Sequence, residues 1–519
     1  MPDFQEHSTS KKNARTLAVV GGGLAGIAAA ESAVRRGWDV ELFEWSGVLG
    51  GRAASQFDSK SRCWIDNGQH IFLGCCTEQL ALNQRLGVAD LFDRHDTVSF
   101  AASANRRWTL SASPFLPPRW QLVPTFLKNP FLSFRDRLAT GLLLRKLAKL
   151  YRDFSKIDES TLQKPPFFME NDENVATSRP NKPFFYKQET FGRWLRRENA
   201  SEESIQHFWA PLICSTLSDT VDGVCLFAAV KVIVQAFMAG REAMAMYVPK
   251  CPLREIYNIE AQRRLSQLGV GIHLLARVER LICEPAKNSL EPISHSGNHA
   301  FSKIQSLVLA DGTQQRFDSY LLAIPAYRIW KLLELSQLKP IADSLGVDRY
   351  ELGAITSVHL WFDRPILPKS QGQAAIFDGP GQWIFYGQHA SSDRLQGNPQ
   401  ENVHGYYHQV VISASHRLLS EEELAGRGTQ ILVERVLKQL RAVFPETCSE
   451  KNGAVLLHAK TTTVFDAVFS PTPEVYRFRS TQRTAIVNLA LAGDWTQTHW
   501  PATMEGAIRS GLSAVEKLN

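Results

Sequence analysis

The 519-residue chain lacks the features that identify several large classes of protein. Its eight cysteines form no Cys-x-x-Cys pair and no cysteine–histidine cluster with zinc spacing, so the sequence indicates neither a disulfide scaffold nor a metal site. No apolar run reaches the roughly 18 to 20 residues that cross a bilayer. The longest one, residues 226–240, is interrupted by Lys231 and Gln235, so we expect no membrane-spanning helix.

The beginning of the sequence also lacks the apolar segment of a secretory signal. Residues 1–14 are polar and run directly into the apolar stretch 17–20. We therefore expect a disordered tail at 1–14. Together with the scattered cysteines, this predicts a reduced, cytoplasmic setting.

Charge of one sign is not in large excess. There are 58 Lys and Arg against 52 Asp and Glu, a formal charge of +6, with 44% hydrophobic and 21% charged residues. These values are typical of globular proteins and exclude disordered, collagen-like and coiled-coil chains. The 28 Phe and 12 Trp indicate apolar pockets or an apolar surface, and we expect no nucleic-acid partner.

A strand–turn–helix–strand pattern opens the ordered part of the chain. Its turn, GGGLAG at 21–26, fits G-x-G-x-x-G, and Glu44 ends the following strand. Gly21 would permit the tight turn, Gly23 would let the backbone approach a pyrophosphate, and Gly26 would allow close packing of helix and strand. Glu44 would accept hydrogen bonds from an adenosine ribose. The alternative is a glycine-rich turn without a ligand.

A second glycine turn follows soon after. Gly50, Gly51 and Arg52 offer backbone N–H groups and a fixed cation. This combination suits a second phosphate and hence the far half of FAD.

The end of the sequence contributes a third candidate segment. Gly493 and Asp494 end an apolar strand, and Met504 and Glu505 begin a helix. A helix N-terminus directed at a flavin would stabilise negative charge on the ring. Asp494 alone is more typical of a turn, so its interpretation depends on the other segments.

Between these segments the periodicity changes from helical to extended. Residues 126–154 and 191–240 have helical periodicity, with Leu143, Leu147, Leu150 and Phe154 of the first region on one stripe. From residue 269 the pattern alternates like strands, with a hairpin turn at 311–312 and further strands at 357–362, 383–386 and 410–413. A helix near 421–441 follows, and 155–190 and 285–302 are predicted surface loops.

Taken together, these motifs resemble the flavin amine oxidase and carotenoid desaturase superfamily and, within it, the hydroxysqualene dehydroxylase family. The resemblance runs over most of residues 17–517. It is carried by Asp66-Asn67-Gly68-Gln69-His70, Phe208-Trp209-Ala210-Pro211-Leu212, Tyr247-Val248-Pro249 with Leu253, and Ala492-Gly493-Asp494-Trp495-Thr496 leading to Trp500-Pro501-Ala502-Thr503-Met504-Glu505-Gly506.

The resemblance implies a mixed α/β (α+β) fold. A Rossmann-like FAD-binding domain of the glutathione-reductase type would be interrupted by a mixed helical and β-sheet substrate domain. The FAD-binding domain would comprise residues 15–75, 250–330 and 484–519, and the substrate domain 76–249 and 331–483. Val278 would lie near the adenine by family analogy alone.

The resemblance also implies a reaction. Reduced FAD would replace the allylic hydroxyl of hydroxysqualene by hydride, giving squalene for hopanoid biosynthesis, and residues 76–249 would form an apolar tunnel for the C30 chain. Hydroxide is a poor leaving group, so a positioned acid should contribute about 10² to 10⁴-fold. Asp66, Gln69 and His70 are the compact polar cluster available, and His70 or Asp66 would protonate the leaving oxygen. Holding the loop against the flavin is the alternative role.

Two partners are expected besides the isoprenoid. A second G-x-G-x-x-G in strand–turn–helix context is absent, so a transiently bound NAD(P)H or a separate reductase would supply electrons. The basic, apolar region 126–154 predicts peripheral association with the inner membrane face, its leucine stripe dipping toward the acyl chains. Packing of this helix on the domain is the alternative.

Three other functions remain open from the sequence. A carotenoid (phytoene-type) desaturase would run the hydride in the opposite direction, from polyene to FAD. An amine oxidase is a second candidate, although no cysteine follows Cys448 to form a cysteinyl-flavin bond in the terminal segment. A non-catalytic prenyl-lipid carrier of the same fold is the third, and flavin colour of the purified protein would exclude it.

Overall fold

The computed structural model describes residues 14–102, 106–118, 120–155, 189–285, 301–367, 371–387, 405–449 and 453–518. Most of the predicted tail at 1–14 and of the predicted loops at 155–190 and 285–302 lies outside the described residues.

The strands of the described chain are numbered in chain order. They are β1 Thr16–Val20, β2 Asp39–Phe43, β3 Ser55–Asp58, β4 Cys63–Asp66, β5 Phe72–Leu73, β6 Phe92–His95, β7 Thr97–Ala102, β8 Arg106–Ser111, β9 Met246–Pro249, β10 Gly271–His273, β11 Val278–Pro285, β12 Phe301–Leu309, β13 Gln314–Gln315, β14 Ser319–Leu322, β15 Leu352–Phe362, β16 Gln373–Ile376, β17 Trp383–Tyr386, β18 Tyr406–Ile412, β19 Leu456–Phe469 and β20 Leu489–Leu491.

The helices are identified below by their bounds. The α-helices are Leu24–Arg35, Thr77–Leu86, Val123–Leu127, Phe134–Ser155, Phe191–Arg197, Glu202–Ser204, Ala210–Leu217, Leu226–Ile233, Arg241–Met244, Ala261–Gln267, Ala326–Leu335, Lys339–Ser344, Ser415–Leu418, Glu421–Leu424, Thr429–Val443, Pro445–Cys448, Pro473–Phe478 and Met504–Lys517. Ala89–Leu91 and Val347–Arg349 are 3₁₀-helices, and Ile205–Trp209, Val234–Met238 and Arg254–Glu260 are π-helical.

A five-stranded parallel sheet, in the order β10-β2-β1-β14-β20, forms one half of the molecule. Its central strand β1 is apolar from Leu17 to Val20 because both of its faces are covered there. Leu17 and Val19 pack in the cluster that contains the helices Leu24–Arg35 and Met504–Lys517, whereas Ala18 and Val20 pack in the opposite one. The predicted strand–turn–helix–strand unit is confirmed, and all five strands come from within 15–75, 250–330 and 484–519.

A seven-stranded, mostly antiparallel sheet in the order β19-β15-β18-β17-β16-β7-β8 forms the other half. Alternation along the strands gives it two different faces. Val358 and Leu360 of β15 face the helix Thr429–Val443, and the intervening residues face the opposite way. The predicted strands at 357–362, 383–386 and 410–413 belong to this sheet, but β7, β8, β16 and β19 were not expected from the sequence.

Helices between residues 134 and 244 pack into a third layer. Leu143 and Leu147 are buried there among Trp194, Trp209 and Ile233, and Leu150 and Phe154 pack against the same cluster. The predicted stripe therefore exists but contacts the domain, so it is not a face that could dip into lipid. Among the described residues no helix combines the length and apolar character needed to cross a bilayer.

Candidate functional site

The glycine turn at the carboxyl end of β1 is shaped by backbone contacts. Gly21 has a φ of +109° and donates its N–H to the Phe43 carbonyl over 2.8 Å. A Cβ at Gly26 would overlap the Gly21 carbonyl oxygen. Only glycine therefore lets the helix Leu24–Arg35 begin so close to the strand, as the sequence predicts.

Gly23 has a different environment, which leaves space for the pyrophosphate predicted beside it. A Cβ there would meet Gly51 Cα at 3.9 Å and no nearer protein atom. Gly23 is also the N-cap of the helix Leu24–Arg35, and no side chain caps the first-turn N–H groups. The Gly50 N–H donates to the Gly22 carbonyl over 2.9 Å, which holds the second turn beside the first. The result is an open cradle of backbone donors for a diphosphate.

Glu44 lies directly under this turn. Its Oε2 accepts from the Gly22 N–H at 2.6 Å and its Oε1 from the Ser46 N–H at 2.9 Å. The Ala276 N–H donates to the Glu44 carbonyl over 2.8 Å, so the chain entering β11 at Val278 runs beside this residue. The structure therefore brings the predicted ribose and adenine residues to one edge of the sheet.

Arg52 and Asp494 meet although 442 positions separate them. Arg52 Nη2 lies 2.6 Å from Asp494 Oδ1, and Nη1 donates to the Ala467 carbonyl at 3.0 Å. Burial alone would lower the pKa of Arg52, but the Asp494 carboxylate outweighs it and raises the pKa, so the guanidinium stays charged. These contacts direct Arg52 toward the terminal segment, and its predicted role as the partner of a second phosphate stays a prediction.

Gly493 allows that terminal segment to turn. Its φ is +143°, and a Cβ at this position would overlap the Trp495 indole. Its N–H donates to Ser510 Oγ at 2.7 Å, which ties the end of β20 to the helix Met504–Lys517.

Arg479 organises the same segment and was missed by sequence reasoning. Its buried guanidinium donates to the carbonyls of Asp494 at 2.7 Å, Thr496 at 2.6 Å and Trp500 at 2.7 Å. No carboxylate among the described residues forms an ion pair with it. A single cation therefore binds three backbone oxygens of the loop between β20 and the last helix, to which Tyr350 and Gln482 also donate hydrogen bonds.

At the start of the helix Met504–Lys517, the predicted cofactor residues Met504 and Glu505 also contact protein. Met504 is partly buried against the parallel-sheet core. The side chain of Glu505 accepts from the N–H groups of Glu78 at 3.1 Å and Gln79 at 2.8 Å, and pairs with Arg509. Both of its oxygens are engaged because it caps the helix Thr77–Leu86, which explains its near-complete burial.

Asp66 ends β4 in a surrounding that favours its neutral form. Its Oδ1 accepts from Ser55 Oγ at 2.6 Å and from the Leu253 N–H at 3.0 Å. Burial raises the pKa of Asp66 to about 7, although both hydrogen bonds oppose the shift. No group among the described residues donates to Oδ2, so that oxygen can carry a proton near neutral pH.

The pKa of His70 is shifted in the opposite direction to that of Asp66. Its Nδ1 lies 2.7 Å from the Gly68 carbonyl, which can only accept, so Nδ1 carries the hydrogen. Burial lowers the pKa of His70, and the Arg52 charge lowers it further. The neutral ring therefore keeps an acceptor lone pair at Nε2. Asp66 and His70 share no hydrogen bond, and the half-buried Gln69 makes none with its side chain among the described residues.

The seven-stranded sheet adds polar residues that sequence reasoning also missed. His359 lies opposite Gln409 and Lys460 in the strand register. Its ring bonds the Tyr407 hydroxyl at 2.7 Å and Thr462 Oγ1 at 3.0 Å. Burial lowers the pKa of His359 to about 3, so the ring is neutral. Burial and then the Asp66 charge raise the pKa of Tyr407, and Ile65, the neighbour of Asp66 in the chain, packs with Tyr407 and Trp361 of this face.

An aromatic cluster continues this face away from Asp66. Its rings are in contact at centroid distances of 5.0 to 6.5 Å, and the chain following His70, at Ile71 and Leu73, packs against them. The members are Phe100, Trp108, Phe126, Phe131, Phe208, Phe377 and Trp383. Residues 66–70 thus contact Ala54 and Ser55, which follow the second glycine turn, and lead into an apolar wall, while the predicted tunnel itself stays a prediction.

This chain is similar in sequence to known proteins and in fold to solved structures. Hydroxysqualene dehydroxylase of Zymomonas mobilis is 26% identical over 510 residues, 96% of this chain and 97% of that protein. Zeta-carotene desaturase of Synechocystis is 22% identical over 523 residues, 97% of this chain and 96% of that protein. The solved cyclohexylamine oxidase of Brevibacterium oxydans superposes with a TM-score of 0.62 at 16% identity, covering 98% of this chain and 99% of that one.

The mixed α/β fold and the open diphosphate cradle define a flavin-dependent oxidoreductase. FAD is its cofactor, and the described residues fit it because Gly23, Gly51 and the uncapped helix leave room and donors where the diphosphate must lie. The family model for flavin containing amine oxidoreductases matches residues 24–519. The chain belongs to that family.

Proposed function

We propose that the protein replaces the allylic hydroxyl of hydroxysqualene by hydride, giving squalene and water. The observation that carries the proposal is Asp66, a carboxyl group with a raised pKa that is bonded to Ser55, just after the glycine turn at 50–52, and stands five residues before Ile71 of the apolar wall. The 26% identity to hydroxysqualene dehydroxylase over nearly the whole of both chains supports it.

The reaction balances with one proton and one hydride. The C–O bond breaks as the oxygen takes a proton and leaves as water, and a C–H bond forms at the same carbon. Reduced FAD supplies the hydride with its two electrons. Because a departing hydroxide is a strong base, protonation of the oxygen is the step in which the protein can contribute most.

Asp66 is the proposed acid. Its Oδ1 is held by Ser55 and the Leu253 N–H, which fixes the carboxyl group and leaves Oδ2 to carry the proton. The pKa of about 7 means that a substantial fraction is protonated at neutral pH. His70 is less suited to this role, since burial lowers its pKa and its hydrogen is committed to Gly68.

His70 has a complementary proposed role as a positioning residue. Its neutral Nε2 can accept a hydrogen bond from the substrate hydroxyl, which would orient the oxygen. The apolar residues that follow it, Ile71 and Leu73, lead into the aromatic cluster, whose surface suits an isoprenoid chain. Electrons would come from NAD(P)H or a separate reductase.

A carotenoid desaturase is the second candidate. Zeta-carotene desaturase is 22% identical over a similar share of the chain, and the same apolar wall would accept a polyene. In that reaction hydride moves from substrate to FAD, so Asp66 would have to act as a base.

The two candidates are separated by the direction of electron flow. The reduced holoenzyme is mixed anaerobically with detergent-dispersed hydroxysqualene, and the oxidised holoenzyme with phytoene, while flavin absorbance and lipid products are followed. The proposal expects flavin reoxidation with squalene in the first mixture and no flavin reduction in the second. Reduction by phytoene without reoxidation by hydroxysqualene would overturn it.

A further inference from the structure

Exposed large apolar side chains are concentrated in one stretch of the chain, which we call the 115–142 surface. Phe115 is 92% exposed, and Phe134 and Leu142 are each more than half exposed. Its members are Phe115, Leu116, Trp120, Val123, Leu127, Phe134, Leu138 and Leu142. Such a concentration on one segment is typical of an interaction surface.

On the helix Phe134–Ser155 the apolar 115–142 surface adjoins a row of basic side chains. Residues three or four apart share a helix face, so Phe134, Leu138 and Leu142 lie on one outward stripe. The same stripe continues with exposed Arg145, Lys149 and Arg152. The outward face of this helix is therefore apolar in its first half and basic in its second.

The cations on the outward stripe have no acidic partner among the described residues, although Lys146 of the same helix pairs with Glu198. Asp136 is buried and accepts from Ser133 at 2.5 Å and Ser201 at 2.6 Å, so it is directed inward. Arg145, Lys149 and Arg152 form no ion pair with the described residues. Between residues 106 and 153 the sequence holds only one other acid, Asp153. A partner for this face should therefore be both apolar and anionic.

We propose that the 115–142 surface docks on an anionic lipid bilayer. Aromatic and leucine side chains beside unpaired Lys and Arg suit a helix lying at the boundary of headgroups and acyl chains. The apolar half would enter that boundary, and Arg145, Lys149 and Arg152 would meet lipid phosphates. This surface differs from the inward stripe of Leu143 and Leu147, which the sequence suggested.

The same surface leads toward the site. Phe126 of the short helix Val123–Leu127 packs on Phe208, with 5.1 Å between the ring centroids. Phe131 packs on Phe377, with 5.0 Å between the ring centroids. Both pairs belong to the aromatic cluster that reaches Ile71. If the protein has the proposed function, the bilayer would thus supply the isoprenoid substrate directly to the apolar wall; this step rests on that function.

Vesicle flotation of the full-length holoenzyme tests the docking. The wild type is expected to float with vesicles of phosphatidylcholine and phosphatidylglycerol, and much less with phosphatidylcholine alone. The triple variant R145E/K149E/R152E should bind about 100-fold more weakly. The matched control K60E/K331E/K438E makes the same charge change at exposed sites elsewhere and should bind within about threefold of the wild type.

The apolar half is tested separately. Leu138→Gln with Leu142→Gln should reduce binding at least about tenfold, whereas Val455→Gln with Val487→Gln, two exposed valines outside the surface, should not. Failure of the wild type to float, or equal loss in the control variants, would overturn the proposal. So would a change of sedimentation from dimer to monomer in the leucine variant, because the surface would then serve a second copy of the chain.

Turnover of detergent-dispersed hydroxysqualene distinguishes this proposal from the proposed function. All four variants should retain wild-type rates in detergent, because none changes a residue of the site. A wild type that floats but does not turn over would remove the proposed function and leave the docking surface. A wild type that turns over hydroxysqualene in detergent but does not float would remove the docking surface and leave the proposed function.

Discussion

The cofactor side of the site and its substrate side are built with different kinds of contact. Around the cofactor cradle the decisive groups belong to the backbone: Gly21 and Gly26 make room, and Arg479 holds carbonyl oxygens. On the substrate side the decisive groups are side chains whose pKa values burial shifts, with the pKa of Asp66 raised to about 7 and that of His359 lowered to about 3.

Because of this difference, cofactor binding should depend on the shape of the cradle, whereas the chemical step should depend on the protonation of a side chain. Backbone donors keep the same charge over the whole physiological range, so cofactor binding should depend on fit and little on pH. Asp66 changes charge within that range, so the chemical step should follow pH. Variants on the two sides should therefore fail in different ways.

The largest expected effects come from two neighbouring glycines. Gly26→Ala places a methyl group on the Gly21 carbonyl and should destabilise the fold by several kcal/mol, giving little soluble protein. Gly23→Ala meets no protein atom within 3.9 Å, so it should fold normally and weaken FAD binding at least about tenfold. Circular dichroism and flavin content measure the two outcomes.

The exposed helical Gly141 supplies the control for that pair. Gly141→Ala should keep both the fold and the flavin, because a Cβ there meets nothing within 4 Å. A Gly23→Ala protein with full flavin content and unchanged affinity would show that the cradle is elsewhere.

Asp66→Asn should slow flavin reoxidation by hydroxysqualene by about 10² to 10⁴-fold while leaving FAD binding unchanged. In the wild type the rate should fall as pH rises through about 7, because the carboxyl group loses its proton there. Anaerobic stopped-flow absorbance across pH measures both effects. A wild-type rate that is flat between pH 5 and about pH 8 would contradict the acid role of Asp66.

The same carboxyl group should affect stability. Its pKa is raised from 3.8 to about 7 in the folded state, so its contribution is fully present below about pH 4 and is lost as pH rises toward 7. The melting temperature of the wild type should therefore fall relative to that of Asp66→Asn over this range. If the melting temperatures of the two proteins changed by the same amount with pH, Asp66 would not be the group that titrates in this range.

Arg479→Gln tests whether backbone contacts alone hold the terminal loop. It leaves the carbonyls of Asp494, Thr496 and Trp500 without their donor, at about 1 to 3 kcal/mol for each buried group that stays unpaired. We expect a lower melting temperature and about tenfold weaker FAD binding, partly restored in Arg479→Lys. The nearby exposed Arg483→Gln is the control, and an equal loss there would contradict the role of Arg479.

The smallest expected effect is that of His70→Ala. A neutral histidine that only orients the substrate oxygen should cost about tenfold or less in rate, with an unchanged pH profile. A loss of 10² or more together with a shifted profile would make His70 the acid in place of Asp66.

Some of this architecture could be predicted because its signals are local. The strand, glycine turn and helix at 16–35 lie within one continuous segment, and hydrophobic periodicity defines them nearly to the residue. The Asp311–Gly312 turn between β12 and β13 was predicted for the same reason, and Gly312 has a positive φ there.

The remainder depends on contacts between distant segments. β19 was missed because its 14 residues alternate weakly, and its partner β15 lies about a hundred residues earlier. Arg479 stands in a polar stretch, and its carbonyl partners have no sequence signal. For the helix Phe134–Ser155, periodicity predicted which leucines share a face but could not predict that this face meets protein.

The position of β20 has a consequence for biosynthesis. β20 completes the parallel sheet nearly 470 residues after β1, and Asp494 must reach Arg52. During translation the amino-terminal glycine turns therefore stay without their final contacts until the segment containing β20 and the helix Met504–Lys517 has left the ribosome. Contacts of such long sequence separation slow folding and prolong the time in which partly folded chains can aggregate. Flavin should accordingly bind only after synthesis of this last segment, and its supply should limit the yield of soluble protein.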